Sequence, residues 1–178
     1  MRSEIATAIR MLSPDDVQER ISELGALLHA CVHAGASINF VLPFGAHEAE
    51  AFWREIVVPG VAAGGRIVLV AERDGHIVGS VQLGIDTPPN QPHRAEVNKL
   101  MVHPDMRRRG IARSLMAAIE QEARRCGRSL LTLDTRTGDS AEPLYATLGY
   151  RTVGVIPGYC RDPFVDRLDS TTIMFKPL

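Results

Sequence analysis

Val97-Asn98-Lys99-Leu100-Met101-Val102-His103-Pro104-Asp105-Met106-Arg107-Arg108-Arg109-Gly110-Ile111-Ala112 carries an apolar run into a basic turn and then into a helix start. Val97 to Val102 has strand character, and Gly110 lets the backbone turn sharply before the helix that opens at Ile111. The first N–H groups of a helix have no intrahelical partner and stand at the positive end of its dipole, so such a turn suits an anion. Arg107, Arg108 and Arg109 can add charge-assisted bonds to phosphate oxygens, and Gly110 and Ala112 leave room for close approach. The physics therefore points to a pyrophosphate cradle. Taken alone, the three arginines read equally well as a solvated loop. Beside a net charge of -1 they make a poor nucleic-acid footprint.

Outward from this stretch, periodicity and punctuation supply the other elements. Ile5 to Met11 reads as a first strand. Ser13 caps a helix with Pro14 at its first position and Asp16 at capping-box spacing, and Val17, Ile21, Leu24, Leu28 and Cys31 form its apolar face as far as Gly35. Ile38 to Gly45 reads as a loop. His47 to Val58 follows as a helix burying Phe52, Trp53 and Ile56, disturbed by Pro59-Gly60. Arg66 to Glu72 and Ile77 to Leu83 flank the turn pair Asp74-Gly75 as a hairpin. After the rigid loop Thr87 to Pro92 come the strand Ala95 to Val102, the helix Ile111 to Arg125 and the strand Leu130 to Asp134. A short helix, Ala141 to Leu148, and two strands, Tyr150 to Ile156 and Thr171 to Lys176, complete the set, with Gly158 to Arg167 as a loop between those strands. The order predicts one α/β domain over residues 1–178, with a mixed, mostly antiparallel sheet of about six to seven strands and helices on both faces.

Composition narrows the function classes. Of 178 residues, 45% are hydrophobic and 23% charged, an ordinary globular mixture. Cys31, Cys126 and Cys160 are too few and too scattered for a disulfide framework or a zinc site, so no metal is expected and a reduced compartment is. Met1-Arg2-Ser3-Glu4 does not open a signal peptide, and no apolar run approaches the ~20 residues of a membrane span. The expectation is a soluble cytoplasmic protein with neither nucleic-acid nor membrane partner.

Arg107-Arg108-Arg109-Gly110-Ile111-Ala112 resembles the Arg/Gln-x-x-Gly-x-Gly/Ala signature of the GCN5-related N-acetyltransferase (GNAT) superfamily. Val102-His103-Pro104 is similar to the V-x-P run that precedes it, and Leu144-Tyr145-Ala146-Thr147-Leu148-Gly149-Tyr150 to the family's Leu-Tyr-x-x-Leu-Gly-Phe segment. The resemblance implies acetyl-CoA as co-substrate and direct transfer of its acetyl group to an amine bound beside it. It implies cofactor contacts from Leu100, Met101, Val102, Arg107, Arg108, Arg109, Gly110, Ile111, Ala112 and Arg113, with a backbone N–H at Leu100 or Met101 facing the oxyanion. Arg94 to Val102, together with Leu133-Asp134-Thr135 and Pro157-Gly158-Tyr159-Cys160, further resembles the tabtoxin-resistance-type acetyltransferases, which act on a small amine-bearing β-lactam toxin.

Direct transfer needs a proton acceptor for the amine, a donor for the oxyanion and a proton for the departing thiolate. Glu96 is an expensive residue in an apolar, central strand unless it is paired or functional, so it is a candidate base or amine ligand. Asp134, at the end of the neighbouring strand, can share that task; alternatively it caps the Thr135-Arg136-Thr137-Gly138 turn. By the resemblance, Tyr145 stands near the thioester sulfur as general acid; the alternative is that it packs the short helix. His33 and Gly35, and Gly158 and Tyr159, fall where the acceptor mouth is expected. Cys160 is not needed as a nucleophile. Three readings remain: acetylation of a small primary amine, acetylation of a protein or peptide, and a non-catalytic acyl-CoA sensor. Many relatives form homodimers, and no interface is legible here.

Overall fold

The computed structural model describes residues 7–178; Ile5 of the first expected strand and the Met1–Glu4 stretch lie outside the described residues. Its strands are β1 (Ala8–Met11), β2 (Arg66–Arg73), β3 (His76–Gly84), β4 (Arg94–Val102), β5 (Leu130–Arg136), β6 (Arg151–Arg161) and β7 (Leu168–Pro177). Its α-helices are α1 (Pro14–Glu19), α2 (Ile21–His33), α3 (Ala46–Phe52), α4 (Val58–Ala62), α5 (Ile111–Arg125) and α6 (Ala141–Thr147). The strands form one sheet in the order β1-β2-β3-β4-β5-β7-β6, antiparallel except where β4 meets β5. The fold class is therefore the expected one.

Local chemistry explains how several elements begin and end. Ser13 and Asp16 form the anticipated capping box: the Asp16 N–H donates to Ser13 Oγ at 3.1 Å, and the Ser13 N–H to Asp16 Oδ2 at 2.9 Å. The expected long first helix is divided at Arg20. There the backbone leaves helical values, and the guanidinium reaches Glu23, Glu72 and the Gly75 carbonyl. The second expected helix runs further than Val58. A π-turn at Trp53–Val57 joins α3 to α4, and the widened turn accommodates Pro59, which has no N–H to donate. Trp53 and Val57 face inward, while Ile56, expected inside, is 53% exposed.

Each face of the sheet carries its own core. On one, Ala95, Val97, Leu131 and Leu133 pack under Ile111, Leu115, Met116 and Ile119 of α5. On the other, Val68, Val70 and Met101 pack under Leu24, Leu28 and Trp53. Burying each of the valine, leucine, isoleucine and methionine side chains stabilises by roughly 1.5–3 kcal/mol, and this burial fixes which way the strands face. Helix α5 lies close because Gly79 has no side chain: a Cβ there would stand 2.9 Å from the Met101 carbonyl and 3.1 Å from Leu115.

Two features of the sheet build the site. Parallel pairing of β4 and β5 covers only Arg94–Leu130, Ala95–Leu131 and Glu96–Thr132, although β4 continues to Val102 and β5 to Arg136. The strands part beyond Glu96. At the far end, β6 extends through Gly158, Tyr159 and Cys160 to Arg161, so the expected 158–167 loop is reduced to 162–167. Pro157 and Gly158 fall inside a register shift between Ile156 and Cys160, which an edge strand tolerates.

Candidate active site

The basic turn has the form an anion requires. Arg108 and Gly110 take left-handed backbone values, φ 62 and 79, and α5 starts at Gly110 without a side-chain cap or an acid in its first turn. The first bond into that turn is the Ser114 N–H to the Gly110 carbonyl at 3.0 Å, so the amides ahead of it are left for a ligand. A Cβ on Gly110 would meet nothing within 4 Å. Arg108 and Arg109 are exposed and make no hydrogen bond or ion pair among the described residues. These residues fit a pyrophosphate. Arg107 differs from its neighbours: its Nε donates to the Val102 carbonyl at 3.4 Å, which also accepts from Cys31 Sγ at 3.5 Å. Burial pushes the Cys31 thiol up to about 11 against the opposing pull of Arg107, so it stays protonated. Arg113 reaches across to α6, donating to Thr147 Oγ1 at 3.0 Å.

Where β4 and β5 part, Glu96 and Asp134 come to the same face. Glu96 pairs with Thr132, and Asp134 lies two residues further along β5, opposite the inward Leu131 and Leu133. Glu96 is not a desolvated carboxylate of the core: its side chain is 50% exposed, with Arg94 Nη1 3.8 Å away. Alternation turns it away from Ala95 and Val97, and the opening between the strands lets water reach it. Asp134 accepts from Thr171 Oγ1 at 3.0 Å rather than from the turn that follows it. In that turn the Thr137 N–H goes to Ser170 and the Gly138 N–H to Glu142. Tyr145 is 7% exposed and packs edge-on against Tyr150, ring centroids 5.8 Å apart. Burial, and then Asp134 and Asp139, push its hydroxyl well above the ordinary phenol range.

The expected acceptor-side residues separate into two groups. Gly35 meets the β6–β7 connection: a Cβ there would lie 2.9 Å from the Phe164 ring, and its carbonyl accepts from Arg136 Nη2 at 3.1 Å. His33 is committed elsewhere, with Nε2 2.9 Å from the Phe44 carbonyl and its ring stacked on His29. Gly158 serves the β6 irregularity at φ 61, and the Tyr159 side chain is exposed and makes no hydrogen bond among the described residues. Leu100, Met101 and Val102 follow Lys99, whose φ of 52 marks a bulge between the Asn98–Gln82 and Met101–Ser80 pairs. Sequence reasoning missed Lys99, Thr171, Arg136, Phe40 and Phe52. Only Lys99 carries a signal, as one of two lysines among 20 basic residues. A groove of about 470 Å³ runs between residues 39–44 and α3, lined in part by Phe40, Phe52 and Glu48.

The sequence profile of the acetyltransferase (GNAT) family matches residues 36–150, which include the cradle, both carboxylates and Tyr145. The chain belongs to that family. An N-acetyltransferase encoded in the hisH-hisA intergenic region of Azospirillum brasilense is 36% identical over 119 residues, 65% of this chain and 68% of that protein. Among solved structures, the ribosomal-protein-alanine N-acetyltransferase of Brucella melitensis superposes with a TM-score of 0.76 at 25% identity, covering 96% of this chain and 99% of that one. The acetyltransferase YncA of Salmonella typhimurium, solved with acetyl-CoA, gives a TM-score of 0.77 at 21% identity over 97% and 94% of the two chains. As a GNAT protein the chain is an acetyl-CoA-dependent N-acetyltransferase. Among the described residues no helix is long and apolar enough to cross a membrane, and no cluster of three or more His, Cys, Asp or Glu is placed to hold a metal ion.

Proposed function

We propose that this GNAT enzyme acetylates the primary amine of a small, amino-acid-like molecule bound together with acetyl-CoA. The supporting observation is the fastening of the β6–β7 connection across the α2–α3 segment. The Leu42 N–H donates to the Pro163 carbonyl at 3.0 Å, Phe164 lies on Gly35, and Arg136 stands 3.6 and 3.7 Å from Asp162 and Asp169. A mouth strapped in this way favours a compact acceptor over a polypeptide. The likeness of Arg94–Val102 to tabtoxin-resistance-type enzymes puts amino-acid-like β-lactams among the acceptors to try. A cytoplasmic setting belongs to the same proposal, supported by three cysteines that are all free.

Acetyl-CoA supplies an activated acyl thioester, held by the Arg107–Arg113 turn. Asp134 and Glu96 draw in the acceptor's ammonium, and one of them takes its proton, directly or through water. One backbone N–H beside the bulge, at Leu100 or Met101, donates to the negative charge developing on the acyl oxygen. Tyr145, kept protonated by its burial, gives its hydroxyl hydrogen to the departing sulfur. Thiol release, followed with DTNB, is measured with acetyl-CoA and a panel of amines, free amino acids, aminoglycosides and N-terminal peptides. Turnover is expected with a small acceptor; release with peptides alone would make it a protein acetyltransferase, and tight cofactor binding with no release at all would favour a sensor.

A further inference from the structure

We propose that Lys99 anchors a carboxylate of the acceptor, so that the acceptor carries an amine and a carboxylate together. The inference rests on the small-acceptor reading above and names the second group that the acceptor must have.

Lys99 is an ammonium held in place without a hydrogen-bonding or ion-pair partner among the described residues. The register shift between Ser80 and Gln82 lifts it out of strand alternation, and its backbone adopts φ 52, a left-handed value that a non-glycine residue keeps only when its surroundings impose it. Its Nζ lies 5.8 Å from the centroid of the Phe40 ring and 5.9 Å from that of Phe52. Among the described residues it makes no hydrogen bond and no ion pair within 4.0 Å, so its three donors are unfilled. Arg66, the other cation acting on it, is engaged with Gln82 Oε1. The second lysine of the chain, Lys176, behaves in the opposite way and is bound to Glu120 at 2.6 Å.

The charges around it are ordered. Glu96 and Asp134 lean on the ammonium without touching it, and they are the groups assigned to the acceptor's amine. An acceptor that places its ammonium at these carboxylates and a carboxylate at Lys99 satisfies both ends, whereas a simple monoamine leaves Lys99 unpaired. A compact ammonium fits over two ring faces where a planar guanidinium would stack on one of them, so lysine rather than arginine suits the position. Burial, with Arg66 nearby, lowers the Lys99 pKa to about 8; a carboxylate seated beside it favours the charged form and raises it.

With only two lysines, protein labelled with carbon-13 at lysine Cε gives two signals, and the one lost in Lys99→Arg belongs to Lys99. The labelled wild-type protein, saturated with coenzyme A, is titrated with pH in the presence of N-acetyl amino acids covering the common side chains, and of their amides. At least one acid is expected to raise the Lys99 midpoint by about one pH unit relative to its amide. If no acid does so, the anchor is overturned. On whichever acceptor is turned over, Lys99→Met is expected to raise KM about tenfold for the carboxylate form, with kcat little changed and no effect on the amide form. A fall in kcat at constant KM with a displaced pH profile would instead make Lys99 a proton acceptor and overturn the assignment. Absence of thiol release with every amine would count against the acetyl-transfer reading, while the titration still decides Lys99.

Discussion

The hydroxyl of Thr171 on β7 stands 3.0 Å from Asp134 Oδ2 on β5 and 3.0 Å from the Thr135 carbonyl, sharing its single hydrogen between them. Thr171 is 1% exposed, whereas Asp134 is exposed, so a buried donor on one strand orients a solvent-facing carboxylate on its neighbour. Asp134→Asn is expected to lower kcat/KM at least about tenfold, the effect of losing a positioned proton acceptor. Thr171→Val should lower it less, and cost about 1 kcal/mol of stability through the lost hydrogen bond. Initial rates and thermal melts separate the two. Full activity in Asp134→Asn would leave Glu96 as the base.

Tyr145→Phe should bind acetyl-CoA as the parent does and turn over at least about tenfold more slowly. Because the folded environment raises its pKa above the usual value of about 10, the hydroxyl keeps its proton as pH climbs through that value. The pH–rate profile should therefore show no alkaline loss from this residue below about pH 10. A decline near pH 9 that vanishes in the Phe variant would contradict the assignment.

Gly110→Asp places a negative charge and a strained φ of 79 where an anion is to sit, and coenzyme A binding should be abolished or nearly so in calorimetry. Replacing Arg108 and Arg109 together by Ala should weaken binding about tenfold, less so at high salt, since both side chains are exposed and make no hydrogen bond or ion pair among the described residues. Unchanged affinity in both variants would remove the turn from cofactor binding.

Gly35→Val should destabilise by about 1–3 kcal/mol, because φ is 83 and the new Cβ would press on Phe164. It should raise the acceptor KM without altering coenzyme A affinity. Phe164→Ala removes the ring that lies on Gly35 without backbone strain, loosening the strap, and should relax acceptor selection toward larger amines. Acceptor preferences that match the parent in both variants would separate the hairpin from the mouth.

Residues whose behaviour is set by near neighbours were legible in the sequence. The capping box at Ser13 and Asp16, the turn at Gly110 and the strands with β-branched runs all rest on interactions a few residues long. Elements that depend on remote contacts were not. Arg20 breaks the first helix where its side chain meets Glu72 on β2, and β6 passes through Pro157 and Gly158 because β7 supplies partners at Asp169 and Leu168. Glu96 stood out as a carboxylate in an apolar strand, but how much water reaches it is decided only by the parting of β4 from β5.

By itself the sequence determined the layered α/β architecture and the glycine turn that opens α5 with free amides. Hydrophobic periodicity selects which faces are buried, and backbone amides at a helix start need no distant help to be free. Only the tertiary structure decided which charges share the cleft. Thr171 reaches Asp134 through strand register, Phe164 reaches Gly35 through hairpin closure, and Lys99 reaches the two phenylalanine rings through a one-site bulge. Because side chains alternate every residue along a strand, one shift of register exchanges inward for outward, and no local pattern in the sequence records where that shift occurs.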